Sequence, residues 1–229
     1  MKLDLTSDIN KGYELALSYP KTDKFMVAIH WWSLGVITFF AISNTYFIDF
    51  LNGIVSSIFK SALYSPSPFA WRVISPQEAI WAIGIGLVTA AIPTLLMGRF
   101  KNHYLWRLLI TFTLSVFAYL IVFISGGSIE MHFMFFAMIA LVAIYADWRL
   151  GWFMLVLVAL HHAILNYVAP TWVYFYGRND FSLFAHAFPV VITVIFTTLI
   201  CNTHRTTIQQ IQSLREDFKA LNKDIEQGK

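Results

Sequence analysis

The sequence contains little cysteine and little charge. Cys201 is the only cysteine among 229 residues, which excludes an intramolecular disulfide and a metal site built from several cysteines. Charged residues make up 13% of the chain, against roughly 25% in an average soluble domain. The net charge is only +3 and forms no basic face, so nucleic acid is not an expected partner. These shortages indicate a membrane protein.

Apolar residues are correspondingly abundant, at 58% of the chain. A helix that crosses a bilayer needs roughly 20 predominantly apolar residues. Six stretches are long enough: 25–47, 78–97, 104–125, 129–146, 150–169 and 182–202. The predicted fold is therefore all-α, a polytopic membrane protein with six transmembrane helices. Its expected parts are an N-terminal segment (1–24), a six-helix domain (25–204) and a C-terminal helix (205–229).

The positions of lysine and arginine predict the orientation of these spans. Eight of them lie on the side of the N terminus before the C-terminal tail is counted, and three lie on the other side. Cytoplasmic segments carry the excess of basic residues, so both termini are predicted to be cytoplasmic. The predicted outer side includes residues 48–64, which are expected to form either an amphipathic helix in the membrane interface or a plain loop.

The tail after the last span carries a repeating apolar pattern. Its apolar residues alternate in steps of three and four, at Ile211, Leu214, Phe218, Leu221 and Ile225. This spacing is typical of a coiled-coil seam and predicts a homodimer. A seam of this kind leading out of a membrane helix also predicts a cytoplasmic output domain or signalling partner, with the natural chain continuing beyond Lys229.

Histidines on three consecutive predicted spans lie at similar depths. At 1.5 Å per residue, His132, His186 and the pair His161-His162 lie about 5, 7 and 10 Å inside the outer ends of their spans. The remaining histidines belong to the predicted cytoplasmic ends: His30, His103 and His204. A single intramembrane histidine is commonly a packed side chain bonded to a neighbouring helix. Three at one level favour a shared metal or haem site over a structural polar cluster, because buried ionisable groups in a bilayer are costly.

Helical geometry separates the neighbours of these histidines. Glu130 and Met134 lie about 200° around the helix from His132, so Glu130 reaches the site only if this span begins irregularly. Gly126 and Gly127 make such a start feasible. His162 shares its face with Asn166, whereas His161 is turned about 100° away, so one histidine of the pair is expected to be the ligand.

The runs "GGSIEMHFMFFAMIALVAIYADWR", "VALHHAILNYVAPTWVYFYG" and "FAHAFPVV" resemble the membrane-integrated N-terminal sensor module of certain bacterial chemoreceptors, histidine kinases and diguanylate cyclases. Members show a pattern close to G-G-x-I-E-x-H-F-H, then Y-x-D-W-R, then two further histidine positions. The resemblance covers residues 105–200 and implies a multi-pass protein of the bacterial inner membrane. It singles out Glu130, His132, His162 and His186 as site residues. Met134 stands where many members have a second histidine.

The expected function is that of a membrane sensor and not of an enzyme. His132, His162 and His186 are the predicted ligands, with Glu130, His161, Met134 and Asn166 as further ligands or as residues that support them. Histidine sites suit copper or zinc, and a soft methionine would favour copper over zinc. Two facing histidines could instead hold haem b. The alternative is a membrane enzyme with a catalytic metal on the three histidines and Glu130 as general base.

Overall fold

The computed structural model describes residues 19–47, 50, 73–99, 104–174, 177–178 and 180–227. Their α-helices are α1 (Tyr19–Tyr46), α2 (Pro76–Leu96), α3 (Tyr104–Ile124), α4 (Phe133–Val142), α5 (Trp148–Val168) and α6 (Asp180–Glu226). Short 3-10 helices cover Glu130–His132, Ala143–Tyr145 and Pro170–Trp172. No strand occurs in these residues, as the all-α prediction requires. Residues 48–64, which are expected to form an interfacial helix or a plain loop, lie outside the described residues apart from Phe50.

The helix lengths are those of a membrane-spanning protein. Five helices are long and apolar enough to cross a bilayer: α1, α2, α3, α5 and α6. The predicted fourth span is shorter, because Glu130–Tyr145 is an apolar segment made of α4 with a 3-10 helix at each end. Its 16 residues reach roughly 24 to 27 Å, slightly less than a hydrocarbon core of about 30 Å. The fold is thus that of a helical membrane protein, and the count of six spans stays a prediction.

α3 is the most buried of these helices and carries polar connections to α1. The imidazole of His30 is completely buried and is hydrogen-bonded at both nitrogens, to the Met26 carbonyl at 2.6 Å and to the Thr113 hydroxyl at 2.7 Å. At the other end of the pair, the side-chain amide of Asn44 donates to the Ile124 carbonyl. Each bond satisfies a buried polar group, and those to Thr113 and Ile124 fix the register of α1 against α3.

α5 begins at a capped turn on the predicted cytoplasmic side. Ala146 has a left-handed backbone with φ of 51°, and Asp147 then accepts a hydrogen bond from the Arg149 amide as the helix cap. The same carboxylate pairs with the guanidinium groups of Arg149, at 2.9 Å, and Arg107, at 3.6 Å. Burial alone would raise the pKa of Asp147. The hydrogen bonds from Arg149 and the positive charges of Arg149 and Arg107 outweigh burial and hold that pKa below its ordinary value.

α6 is one unbroken helix that contains both the last predicted span and the predicted tail helix. It packs beside α5, where a side chain on Gly151 would lie 3.8 Å from Val194 and 4.0 Å from Thr197. Beyond Ile208 the five apolar residues of the predicted seam are 41 to 66% exposed. The pattern read from the sequence therefore forms an uncovered apolar stripe on a helix, and its pairing with a second copy stays a prediction.

Candidate metal centre

The three predicted ligand histidines lie together where α4, α5 and α6 meet. His132 is the last residue of the 3-10 helix before α4, His162 lies near the end of α5, and His186 lies two turns into α6. Their ring centroids are 5.1 Å apart for His132 and His186, 5.3 Å for His132 and His162, and 6.2 Å for His162 and His186. Three side chains that are up to 54 residues apart in sequence thus converge on one point.

Two of these rings are held in a defined orientation. The Nδ1 atom of His132 lies 2.7 Å from the Ser128 carbonyl, and Nδ1 of His162 lies 2.9 Å from the Val158 carbonyl. A carbonyl oxygen only accepts hydrogen bonds, so each Nδ1 carries the proton and each Nε2 has a free lone pair. Neither Nε2 has a hydrogen-bond partner among the described residues, although both rings are only 5% exposed.

His30 provides an internal comparison for a structural histidine. Both of its nitrogens are hydrogen-bonded, as expected for a buried ring whose purpose is to join two helices. His132 and His162 instead combine an anchored Nδ1 with a buried, unpaired Nε2 in the described part of the protein. A metal-bound histidine commonly has this arrangement, with its other nitrogen donating to a carbonyl or carboxylate.

The separations of the rings are compatible with a single small ion. A metal bound at about 2.0 to 2.1 Å from Nε2 lies about 3.2 Å from the ring centroid, which puts the centroids of three ligands about 5 to 6 Å apart. The observed separations fall in or close to this range. Within the described ranges, however, no group of three or more His, Cys, Asp or Glu side chains already has the arrangement needed to hold a metal. Coordination would therefore require the rings to rotate.

Glu130 is connected to the site only indirectly. The segment Glu130–His132 is a 3-10 helix, so the irregular start that the sequence made a condition is present. The Glu130 side chain is nevertheless exposed and accepts a hydrogen bond from the Ser128 hydroxyl. The carbonyl of that same Ser128 accepts the Nδ1 proton of His132. Glu130 thus steadies the turn that orients His132.

His161 and Met134 lie on the sides of their helices that face other neighbours. The His161 ring stacks on Tyr119 of α3, with centroids 4.1 Å apart and planes 4° apart. Met134 lines a cavity together with Ile29 and Trp32 of α1. The structure therefore places His162 beside His132 and His186. His161 is turned toward Tyr119, and Met134 is turned toward α1.

Asn166 lies one turn beyond His162 but contacts the start of α6. Its side-chain amide donates to the Asp180 carboxylate at 2.9 Å, and Arg178 also bonds this carboxylate. These hydrogen bonds, that of Arg178 first, hold the pKa of Asp180 below its ordinary value. The link joins the end of α5 to the first residue of the helix that carries His186, so Asn166 supports the site from outside it.

Tyr174 is a member of the cluster that the sequence did not reveal. Its side chain is completely buried. Its ring is parallel to that of His132, with centroids 6.0 Å apart, and lies 5.3 Å from His186. The chain turns back over the histidines after the 3-10 helix Pro170–Trp172, and no periodic pattern in the sequence signals such a turn.

An apolar pocket of about 450 Å³ opens beside the histidines, between α4, α5 and α6. His132, His162 and His186 all line it, together with aromatic and aliphatic side chains. The histidine cluster is thus accessible to a molecule of moderate size through this pocket.

Comparison with known proteins returned no matching family model, curated protein or solved structure. The arguments for a function therefore come from the residues and their geometry.

Proposed function

We propose that this chain is the membrane sensor module of a bacterial signal-transduction protein and that His132, His162 and His186 bind a metal ion. Binding of the ion, or of a molecule to it, alters the packing of α6 against α4 and α5. The change then passes along α6 to a cytoplasmic output domain, in a homodimer paired through the seam that contains Leu214 and Phe218.

The observation that carries the proposal is the pair of buried Nε2 atoms. Leaving a buried polar atom without a hydrogen bond costs about 1 to 3 kcal/mol. Nε2 of His132 and Nε2 of His162 both lack a partner among the described residues, and both residues line the same pocket as His186. Coordination of one ion satisfies both atoms at once, whereas a structural cluster would leave the cost in place.

The donor set favours a small ion over haem and copper over zinc. His132 lies between 5.1 and 5.3 Å from each of the other two rings, which leaves little room for a macrocycle between those pairs. The rings of His162 and His186 are 6.2 Å apart, but His132 lies beside both of them, where a macrocycle would have to extend. Three neutral imidazoles suit both copper and zinc, and copper(II) binds such a set more tightly. This preference for copper no longer rests on Met134, since that side chain lines a cavity beside α1. The ion would supply an open coordination position or a change of redox state.

His186 connects the site to the output because it belongs to the same helix as the seam. No break separates it from Ile225 in α6. A displacement of His186 on metal binding therefore displaces the tail through one continuous helix, which contains Pro189 one turn after the histidine.

Metal analysis of purified protein tests the proposal directly. We expect about one copper per chain after reconstitution with copper, no Soret band, and loss of the metal in His132→Ala, His162→Ala and His186→Ala. His204→Ala is the matched control, since His204 is an exposed histidine on the same helix as His186. Stoichiometric haem, or full metal retention in all three variants, would contradict the assignment.

A further inference from the structure

The composition of the pocket beside the histidines limits the kind of molecule that it can hold. Within the described part of the chain its walls contain no Asp, Glu, Lys or Arg side chain. The lining consists of Phe, Leu, Ile, Val, Ala and Pro residues apart from the three histidines. Moving an unpaired charge against such apolar walls is strongly unfavourable. The part of an occupant that lies against these walls is therefore uncharged and mostly hydrocarbon, and a polar or charged group can be placed only at the histidines.

The polar side chains of the lining are its three histidines. His132 and His162 both border the pocket, and the Nε2 atom of each is buried and has no partner in the residues described. Pro189 adds to this polarity, because a proline cannot donate the helical hydrogen bond that the Ala185 carbonyl would otherwise accept. Both Pro189 and Ala185 line the pocket. The walls thus suit a molecule with one polar head group and an apolar body.

The rim of the pocket faces the surroundings of the protein with bare apolar side chains. Phe133 is 63% exposed, Phe184 is 72% exposed and Ile129 is 44% exposed, and all three belong to the lining. Phe184 lies on α6, which is long enough to cross a bilayer, and Ile129 and Phe133 lie at the start of the predicted fourth span. These side chains are therefore expected to lie against lipid, and the entrance is expected to be reached from within the bilayer.

The volume limits the size of the occupant. The pocket volume of about 450 Å³ lies within the range of roughly 300 to 1,000 Å³ that is usual for small-molecule sites. A small lipophilic molecule is therefore of suitable size.

We propose that this pocket binds a small lipophilic molecule with an uncharged hydrocarbon body, which enters from the bilayer and directs a single hydrogen-bonding or metal-coordinating head group to the histidines. Contact of that head group with a metal rests on the proposed function, whereas insertion of the apolar body into the pocket is independent of it. The ligand class thus deepens the sensor proposal by naming what the metal centre detects.

Photolabelling in nanodiscs tests the inference. The probe is decan-1-ol with a diazirine on its chain, and its attachment sites are found by mass spectrometry. We expect labelling concentrated on Leu155 and Ala159, which line the pocket, over Leu160, which is 51% exposed and does not. Unlabelled decan-1-ol should reduce this labelling at least fivefold more effectively than decane, which has no head group.

Two variants of α5 separate binding in the pocket from general partition into lipid. Ala159→Phe fills the pocket and should reduce pocket labelling at least fivefold while copper content stays unchanged. Leu160→Phe adds the same ring at the adjacent position outside the pocket and should change neither quantity. Both positions are exposed, so neither substitution enters the packed core.

The copper measurement distinguishes the two proposals. Pocket labelling that is sensitive to Ala159→Phe, in a protein that binds no metal, would support the lipophilic site and overturn the metal centre. Equal labelling of Leu155 and Leu160, or labelling unaffected by Ala159→Phe, would overturn the lipophilic site whatever the copper content.

Discussion

Replacing His30 should lower the stability of the protein without affecting metal binding, whereas replacing His162 should abolish metal binding with little effect on stability. His30→Ala removes two buried hydrogen bonds, to Met26 and Thr113, and an edge contact with Phe117 at 5.6 Å between centroids. Hydrogen bonds between membrane helices contribute about 0.6 kcal/mol each. Loss of the packed ring adds a cavity cost, so we expect the free energy of unfolding to fall by about 2 to 4 kcal/mol.

His162→Ala should behave differently in the metal-free protein. Among the described residues, the substitution breaks one hydrogen bond of His162, to the Val158 carbonyl within the same helix. The substitution also removes a buried Nε2 whose unpaired state costs about 1 to 3 kcal/mol. Because His162 borders the pocket, the missing ring enlarges an existing space and creates no closed void. We expect a net change within about 1 kcal/mol of zero, together with loss of the metal.

Thermal unfolding in detergent with a chelator, followed by metal analysis without it, measures both effects. For a chain of this length 1 kcal/mol shifts Tm by about 2 to 4 °C, so His30→Ala should unfold roughly 5 to 15 °C earlier and still bind metal. His162→Ala should stay within about 4 °C of the parent and lose metal. The reasoning fails if metal-free His162→Ala unfolds as early as His30→Ala, or if His30→Ala loses the metal.

Three further predictions concern the predicted cytoplasmic side. Asp147→Ala should cost about 1 to 2 kcal/mol through the lost helix cap. The folded pKa of Asp147 lies below its ordinary value of 3.8. The stability that this carboxylate contributes is therefore fully present above pH 3.8 and is lost as the pH falls through the folded pKa. Thermal melts at acid pH should show this loss in the parent protein and not in Asp147→Asn. Ala146→Gly should raise stability by about 0.5 to 1 kcal/mol in thermal melts, since φ of 51° strains alanine. In a Cys201→Ser background, Leu214→Cys should cross-link between copies in membranes, whereas Glu216→Cys, on the opposite helix face, should not; equal yields would contradict the paired seam.

Helix positions were largely predictable from the sequence because lipid imposes a simple requirement of length and composition. The stretches 104–125 and 150–169 differ from α3 and α5 by two residues or fewer at each end. The fourth span was harder, because apolarity does not distinguish 3-10 from α-helical backbone. Depth along each helix likewise brought His132, His162 and His186 to one level, and the structure gathers them.

What the sequence could not supply is the path of the chain between helices. Tyr174 lies in such a connection, and only the folded structure shows its ring beside those of His132 and His186. Glu130 illustrates a second limit: its spacing from His132 suggested a partner, while the actual connection passes through the hydroxyl and carbonyl of Ser128. Side-chain bonds within a turn depend on backbone detail that periodicity does not contain.

The packing of α6 beside Gly151 of α5 divides α6 into two arms of unequal length. Thr197, opposite Gly151, lies about 17 Å along the helix from His186 and about 42 Å from Ile225 at 1.5 Å per residue. If α6 tilts about this point as a rigid rod, each ångström of movement at His186 becomes about 2.5 Å at Ile225. A small movement at the histidines would then become a larger displacement at the residues of the predicted seam.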